Sequence, residues 1–69
     1  MNKEIILKNK IKEIRSTKNM SQEELAKLTG TTRQTIIAIE KGQFNPSAKL
    51  SLLICIALNC KFEDLFWLE

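Results

Sequence analysis

SQEELAKLTGTTRQTIIAIEKG, residues 21–42, is the stretch from which the fold can be read. Ser21 is followed three positions later by Glu24, the spacing of a capping box in which each side chain satisfies the other residue's free backbone N–H. Met20 before the cap and Leu25 after it have the spacing of a hydrophobic staple, so a helix starts at Gln22 and runs over about residues 22–29. Leu25, Ala26 and Leu28, with Thr29 alongside, are expected on its inward side, and Gln22, Glu23 and Lys27 on its outward side. Gly30 ends it, because glycine takes the left-handed conformation that closes a helix without a steric penalty. A second helix, capped by Thr31 or Thr32, covers about residues 32–41 and stops at Gly42. Two short helices joined by a tight, glycine-containing link form a helix-turn-helix.

Outward from that core motif, the sequence assigns each helix an inner and an outer face. The helix over 32–41 turns Ile36, Ile39 and Glu40 inward. Its opposite side carries Gln34, Ala38 and Lys41, flanked by Ile37, and Arg33 projects from the first turn. Arginine can grip guanine O6 and N7 with two bonds and glutamine can do the same with adenine N6 and N7, so Arg33 and Gln34 suit base edges in a major groove. Ile37 either meets a thymine methyl or packs sideways against the next loop. On the N-terminal side, Asn9 is a candidate cap for a first helix reaching about Lys18, with Leu7, Ile11, Ile14, Arg15 and Lys18 on one face. Arg15 and Glu40 are each a charge within an apolar stripe, and buried charge is costly unless paired. They are expected to pair with each other, the alternative being that both reach past the apolar surface to solvent.

The remaining chain supplies the support. Met1 to Leu7 shows little helical periodicity, and Ile5-Ile6-Leu7 reads as a strand or a pairing arm, so residues 1–8 are set apart from a single domain over 9–69. After the loop Gln43-Phe44-Asn45-Pro46, Ser47 caps a fourth helix whose residues Leu50, Leu52 to Leu58 are apolar almost all round. Such a helix is either central to the core or covers a second face against another chain. Asn59 closes it. A short fifth helix over about 62–66 has Glu63 and Asp64 in its first turn, where they complement the helix dipole, but Lys61 where a capping side chain would stand. Phe62, Leu65, Phe66, Trp67 and Leu68 form an apolar tail, and Leu68-Glu69 is open to being a vector-derived remnant.

With 69 residues the chain is one domain near the lower size for a self-sufficient core, and its 43% apolar residues suffice for one. One proline, two glycines and no tyrosine leave little turn chemistry for a strand-rich fold, so an all-α fold is expected. The net charge of +3 permits nucleic acid without requiring it. Without histidine, a glycine-rich phosphate loop or a metal cluster, no enzyme, cofactor or metal is expected. Cys55 and Cys60 fit small buried apolar side chains, with a redox switch as the other reading. No signal peptide, membrane-length apolar run or lipidation motif is read, which gives a cytoplasmic expectation.

On the motif SQEELAKLTG-TTRQTI-AIEKG, the following NPS and the C-terminal FEDLFW, the sequence resembles the phage-repressor and Cro-like (Xre) helix-turn-helix family over roughly Ile11 to Trp67, and within it the small stand-alone regulators. The resemblance implies a five-helix lambda-repressor-like domain, with a short terminal two-stranded hairpin possible. It implies base contacts around Gln34, taken as Arg33, Gln34, Ile37 and Ala38, and phosphate contacts by Ser21, Gln22, Thr32, Lys41 and Gln43. It also implies the Arg15–Glu40 pair and a homodimer through Ile5 to Leu7 and Leu65 to Leu68. The chain departs from the family pattern in three places. Ile37 stands where residues are usually small or polar, Lys61 replaces the usual serine cap, and Leu53 and Ile56 occupy positions that are frequently charged. The dimer expectation therefore names Ile5, Leu7, Leu53, Ile56, Leu65, Phe66 and Trp67.

The function expected is sequence-specific binding of double-stranded DNA by a homodimeric transcriptional regulator, a repressor on a pseudo-palindromic operator, with no small-molecule effector evident. The rival is a protein-interaction module, such as an antitoxin or anti-repressor partner, favoured by Ile37, Leu53, Ile56 and Trp67.

Overall fold

Among the described residues, seven elements follow one another: β1 (Leu7–Asn9), α1 (Ile11–Thr17), α2 (Gln22–Thr29), α3 (Arg33–Glu40), α4 (Ala48–Leu58), α5 (Phe62–Leu65) and β2 (Phe66–Leu68). The computed structural model describes residues 5–69, and the part of the expected arm at residues 1–4 lies outside the described residues.

Side-chain caps start three of the five helices. Ser21, Thr32 and Ser47 each accept a hydrogen bond from the backbone N–H three residues on, and at Ser21 the capping box with Glu24 is complete. The Ser21 N–H donates to Glu24 Oε1 at 2.8 Å and the Glu24 N–H to Ser21 Oγ at 3.0 Å. The α1 helix begins differently. Lys10 holds the cap position without a side-chain bond, and Asn9, one residue earlier and inside β1, accepts from the Ile11 N–H through Oδ1 at 3.1 Å. Lys61 makes no side-chain cap for α5. At the C-terminal ends, Gly30 (φ 73°) and Asn59 (φ 55°) are left-handed. The α1 helix stops at Thr17, one residue short of Lys18, because Asn19 also turns left-handed and the Met20 N–H folds back to the Arg15 carbonyl at 3.1 Å.

The capping box yields a pH prediction. The Ser21 N–H, and then the Ser21 side chain, lower the Glu24 carboxyl below its ordinary value. A carboxyl lowered on folding contributes stability that is present above its unfolded value and is lost as the pH falls through its folded value. Glu24→Gln should therefore flatten the loss of melting temperature in an acid series without changing its slope near neutrality. Ser21→Ala should cost about 1 kcal/mol in urea unfolding at neutral pH.

Ile11, Leu25, Ile36, Ile39, Ile54, Leu58 and Leu65 are fully buried and draw every helix onto one core. The α4 helix is central to it through Ser51, Ile54, Cys55 and Leu58, yet its opposite side leaves Leu52 and Ile56 exposed. The reading of α4 as the central core helix therefore holds, and Leu52 and Ile56 are the apolar side chains that this chain leaves uncovered. One inward assignment in α2 is corrected: Leu28 is 62% exposed. The buried stripe is Leu25, Ala26 and Thr29, and at roughly 100° per residue its centre lies toward Ala26, which swings Leu28 off its edge.

The two strands pair antiparallel, Leu7 with Leu68, Lys8 with Trp67 and Asn9 with Phe66. Beyond them Ile6 and Glu69 exchange both backbone hydrogen bonds at 2.9 Å. Leu68 and Glu69 are therefore integral to the sheet. The result is a five-helix domain with a short two-stranded hairpin across its ends.

Candidate nucleic-acid interface

The α3 helix is fixed by three sets of contacts, and what they leave uncovered defines the candidate surface. Ile36 and Ile39 anchor it in the core. Glu40, in its last turn, receives Arg15 Nε at 2.9 Å and Arg15 Nη2 at 3.4 Å on its two carboxylate oxygens. The pair is largely covered, with side-chain exposures of 12% for Arg15 and 6% for Glu40. Arg15 Nη1 also donates to the Met20 carbonyl at 2.8 Å, so one guanidinium joins α1, the entry to α2 and the end of α3. Asn9 Nδ2 donates to the Ile39 carbonyl at 3.0 Å and ties β1 to the same helix end.

Held this way, α3 turns Arg33 and Gln34 to solvent in its first turn, while Ile37 and Ala38 are half-buried on the flank. The half-buried state of Ile37 leaves a partial apolar surface beside the two polar side chains. Thr32 Oγ1 accepts from the Thr35 N–H at 3.2 Å and lies 3.0 Å from Thr35 Oγ1, which orients the first turn. After the helix, Gly42 (φ 77°) is left-handed, and the Gly42 and Gln43 N–H groups return to the carbonyls of Ile39 and Ala38 at 3.0 and 2.8 Å. Lys41 and Gln43 are exposed at this corner.

Ser21 is exposed at the other edge. Gln22, expected on the outward side, is half-buried, and its Nε2 donates to Glu40 Oε1 at 3.0 Å. The cause is the Glu40 carboxylate, which has an acceptor site that the guanidinium does not saturate. Gln22 retains a second amide hydrogen for any anion beside α2. Gln22 and Asn9 were the site-supporting roles missed from sequence; the only hint was two amides within reach of helix ends.

The residues expected at a dimer interface divide. Ile56 is 74% exposed and borders, with Leu52 and Phe62, an open apolar groove along α4 and the start of α5. Leu53 and Leu7 are half-buried, and Ile5 and Trp67 are exposed, the Trp67 ring carrying Lys10 Nζ at 5.7 Å from its centroid. Leu65 and Phe66 are instead buried in the chain's own core, at 0% and 2% exposure. They offer no surface to a second copy, because the hairpin folds α5 back onto the bundle. Among the described residues, no helix is long and apolar enough to cross a membrane.

This arrangement of helices matches known proteins over most of its length. The helix-turn-helix family profile fits residues 11–65. The chain is 54% identical over 63 residues to YgzD of Bacillus subtilis, described as an uncharacterized HTH-type transcriptional regulator, covering 91% of this chain and 96% of that protein. A protein of Methanocaldococcus jannaschii with the same description is 51% identical over the same shares. Among solved structures, the restriction-modification controller protein C.AhdI of Aeromonas hydrophila is 35% identical, with a TM-score of 0.74 over 78% of each chain. The transcriptional regulator VanUg, at 24% identity, shares the fold with a TM-score of 0.79 over 97% of this chain and 89% of its own. The chain belongs to the Cro-like (Xre) helix-turn-helix family.

Proposed function

We propose that this protein is a DNA-binding transcriptional regulator that acts in the cytoplasm as a homodimer on a pseudo-palindromic operator, where occupancy represses transcription. The observation that carries this reading is the pair of exposed, adjacent side chains Arg33 and Gln34 at the start of a helix whose other side is locked into the core. A rigid helix with a bidentate cation and a bidentate amide at its leading end can enter a major groove and read two neighbouring base pairs. Lys41, Gln43, Ser21 and Thr32 frame that helix and supply phosphate contacts, with backbone N–H groups at the start of α2 helping to fix register. Gln22 serves the phosphate through its remaining amide hydrogen while steadying Glu40.

Two such helices one DNA turn apart require a second copy, and the Leu52–Ile56–Phe62 groove supports that assembly, with Leu53 at its side and Ile5, Leu7 and Trp67 at the hairpin. The same apolar groove is what favours the interaction-module reading, so the experiment must separate the two. Selection of bound sequences from a random DNA pool, combined with sedimentation, should return a symmetric site and a dimer. A monomer at micromolar concentration with no DNA preference would favour the interaction module. Ile56→Glu should shift the sedimentation profile to monomer and weaken operator binding, leaving the circular dichroism spectrum unchanged. Lys41→Ala should weaken binding to all sequences alike and reduce the slope of log affinity against log salt by about 0.9 for each phosphate that is no longer neutralised.

A further inference from the structure

The last turn of α4 closes with a cysteine at each of its two paired positions. The Cys60 N–H bonds to the Cys55 carbonyl at 3.1 Å and the Asn59 N–H to the Ile56 carbonyl at 3.1 Å, around left-handed Asn59. This is a Schellman closure, in which the residues at the positions of Cys55 and Cys60 ordinarily make an apolar side-chain contact. Here both partners are cysteine. Both thiols are free, and both line the apolar groove beside Leu52, Ile56 and Phe62.

We propose that Cys55 and Cys60 form a modification site, a dithiol that peroxide closes to an intramolecular disulfide, and that this closure weakens self-association through the adjoining groove. The second half rests on the homodimer reading above.

Cys60 is the more exposed thiol. Its thiolate attacks one peroxide oxygen, the O–O bond breaks, and the departing hydroxide takes up a proton to leave as water. The Cys55 sulfur then attacks the resulting sulfenic sulfur, the S–S bond forms, the S–O bond breaks and a second water leaves. One peroxide thus accepts two electrons from two thiols. Burial raises both thiols above their ordinary value; Glu63 adds to this at Cys55, and Asp64 opposes ionisation of Cys60 while Lys18 favours it.

Closure sets the two sulfurs about 2.0 Å apart. That moves the groove lining between α4 and Phe62, and close-packed contacts tolerate such shifts poorly.

The test treats the full chain with hydrogen peroxide and follows intact mass, peptide maps and sedimentation. Expected are a product lighter by two hydrogens with Cys55 joined to Cys60, no such product in Cys55→Ser or Cys60→Ser, and a dimer Kd weakened about tenfold, equivalent to about 1.4 kcal/mol, with recovery on adding a dithiol reductant. Sulfinic acid or an intermolecular disulfide as the main product would overturn the site. An intramolecular disulfide with unchanged dimer Kd would overturn its regulatory effect. A monomer in the reduced state would instead remove the homodimer reading, whether or not the cross-link forms.

Discussion

Glu40→Ala is expected to lower the free energy of unfolding by about 3–5 kcal/mol, a large part of the total for a domain of this size. The side chain is nearly covered and receives Arg15 Nε, Arg15 Nη2 and Gln22 Nε2. Its removal leaves the guanidinium with the Met20 carbonyl alone and the Gln22 amide without its acceptor. The cost is mainly that of a stranded charge, since a buried pair adds little net stability over an apolar replacement. Arg15→Met combined with Glu40→Leu should therefore recover most of the loss. Urea unfolding of both single variants and the double variant measures this directly. Strictly additive losses would show that the two charges act independently and that solvent supports each.

Arg33→Ala should relax specificity at one base pair in each half-site while leaving the fold intact. A good bidentate contact discriminates by about 1–3 kcal/mol, and a symmetric dimer makes it twice, so about 2–6 kcal/mol separates the operator from its singly altered palindromes. Gln34→Ala should do the same at a neighbouring pair. Both side chains are exposed and make no hydrogen bond within the described residues, so no stability loss should accompany the change. Titration of the operator and of symmetric base-substituted operators, at one salt concentration, gives the discrimination. Equal weakening on operator and random DNA would assign Arg33 and Gln34 to the phosphate backbone instead.

The features legible in the sequence are those set by local chemistry. A hydroxyl three residues before its N–H, a glycine at a helix end and a charge recurring on an apolar stripe depend on few residues, and Ser21, Gly30, Arg15 and Glu40 stand where that chemistry places them. Burial of a whole face was less legible. Leu28 belongs to an apolar stripe whose centre is decided by how α2 tilts against α3 and α4, which periodicity alone does not contain. Leu65 and Phe66 pose a related difficulty, because an apolar tail reads identically whether it is covered by its own chain or by another. Long-range amide contacts were the least visible. Asn9 reads locally as a cap, and its bond to the Ile39 carbonyl exists only because β1 is brought beside the end of α3. The exposure of Arg33 and Gln34 was legible in the sequence because it follows from the burial of Ile36 and Ile39 opposite them.

The hairpin that joins Leu7 to Leu68 also sets an order of events in folding. It closes nearly the whole chain into a loop, and only after the helices have packed is the entropy of that closure largely met. Its ladder is short, and the amides of Ile6 and Glu69 at its rim should exchange with deuterium through local opening, well before those of Ile36 or Leu58, which require global unfolding. Because Asn9 Nδ2 ties that ladder to the Ile39 carbonyl, each opening of the clasp would leave that carbonyl to the Gly42 N–H alone, and the end of α3 would lose one of its two holds there.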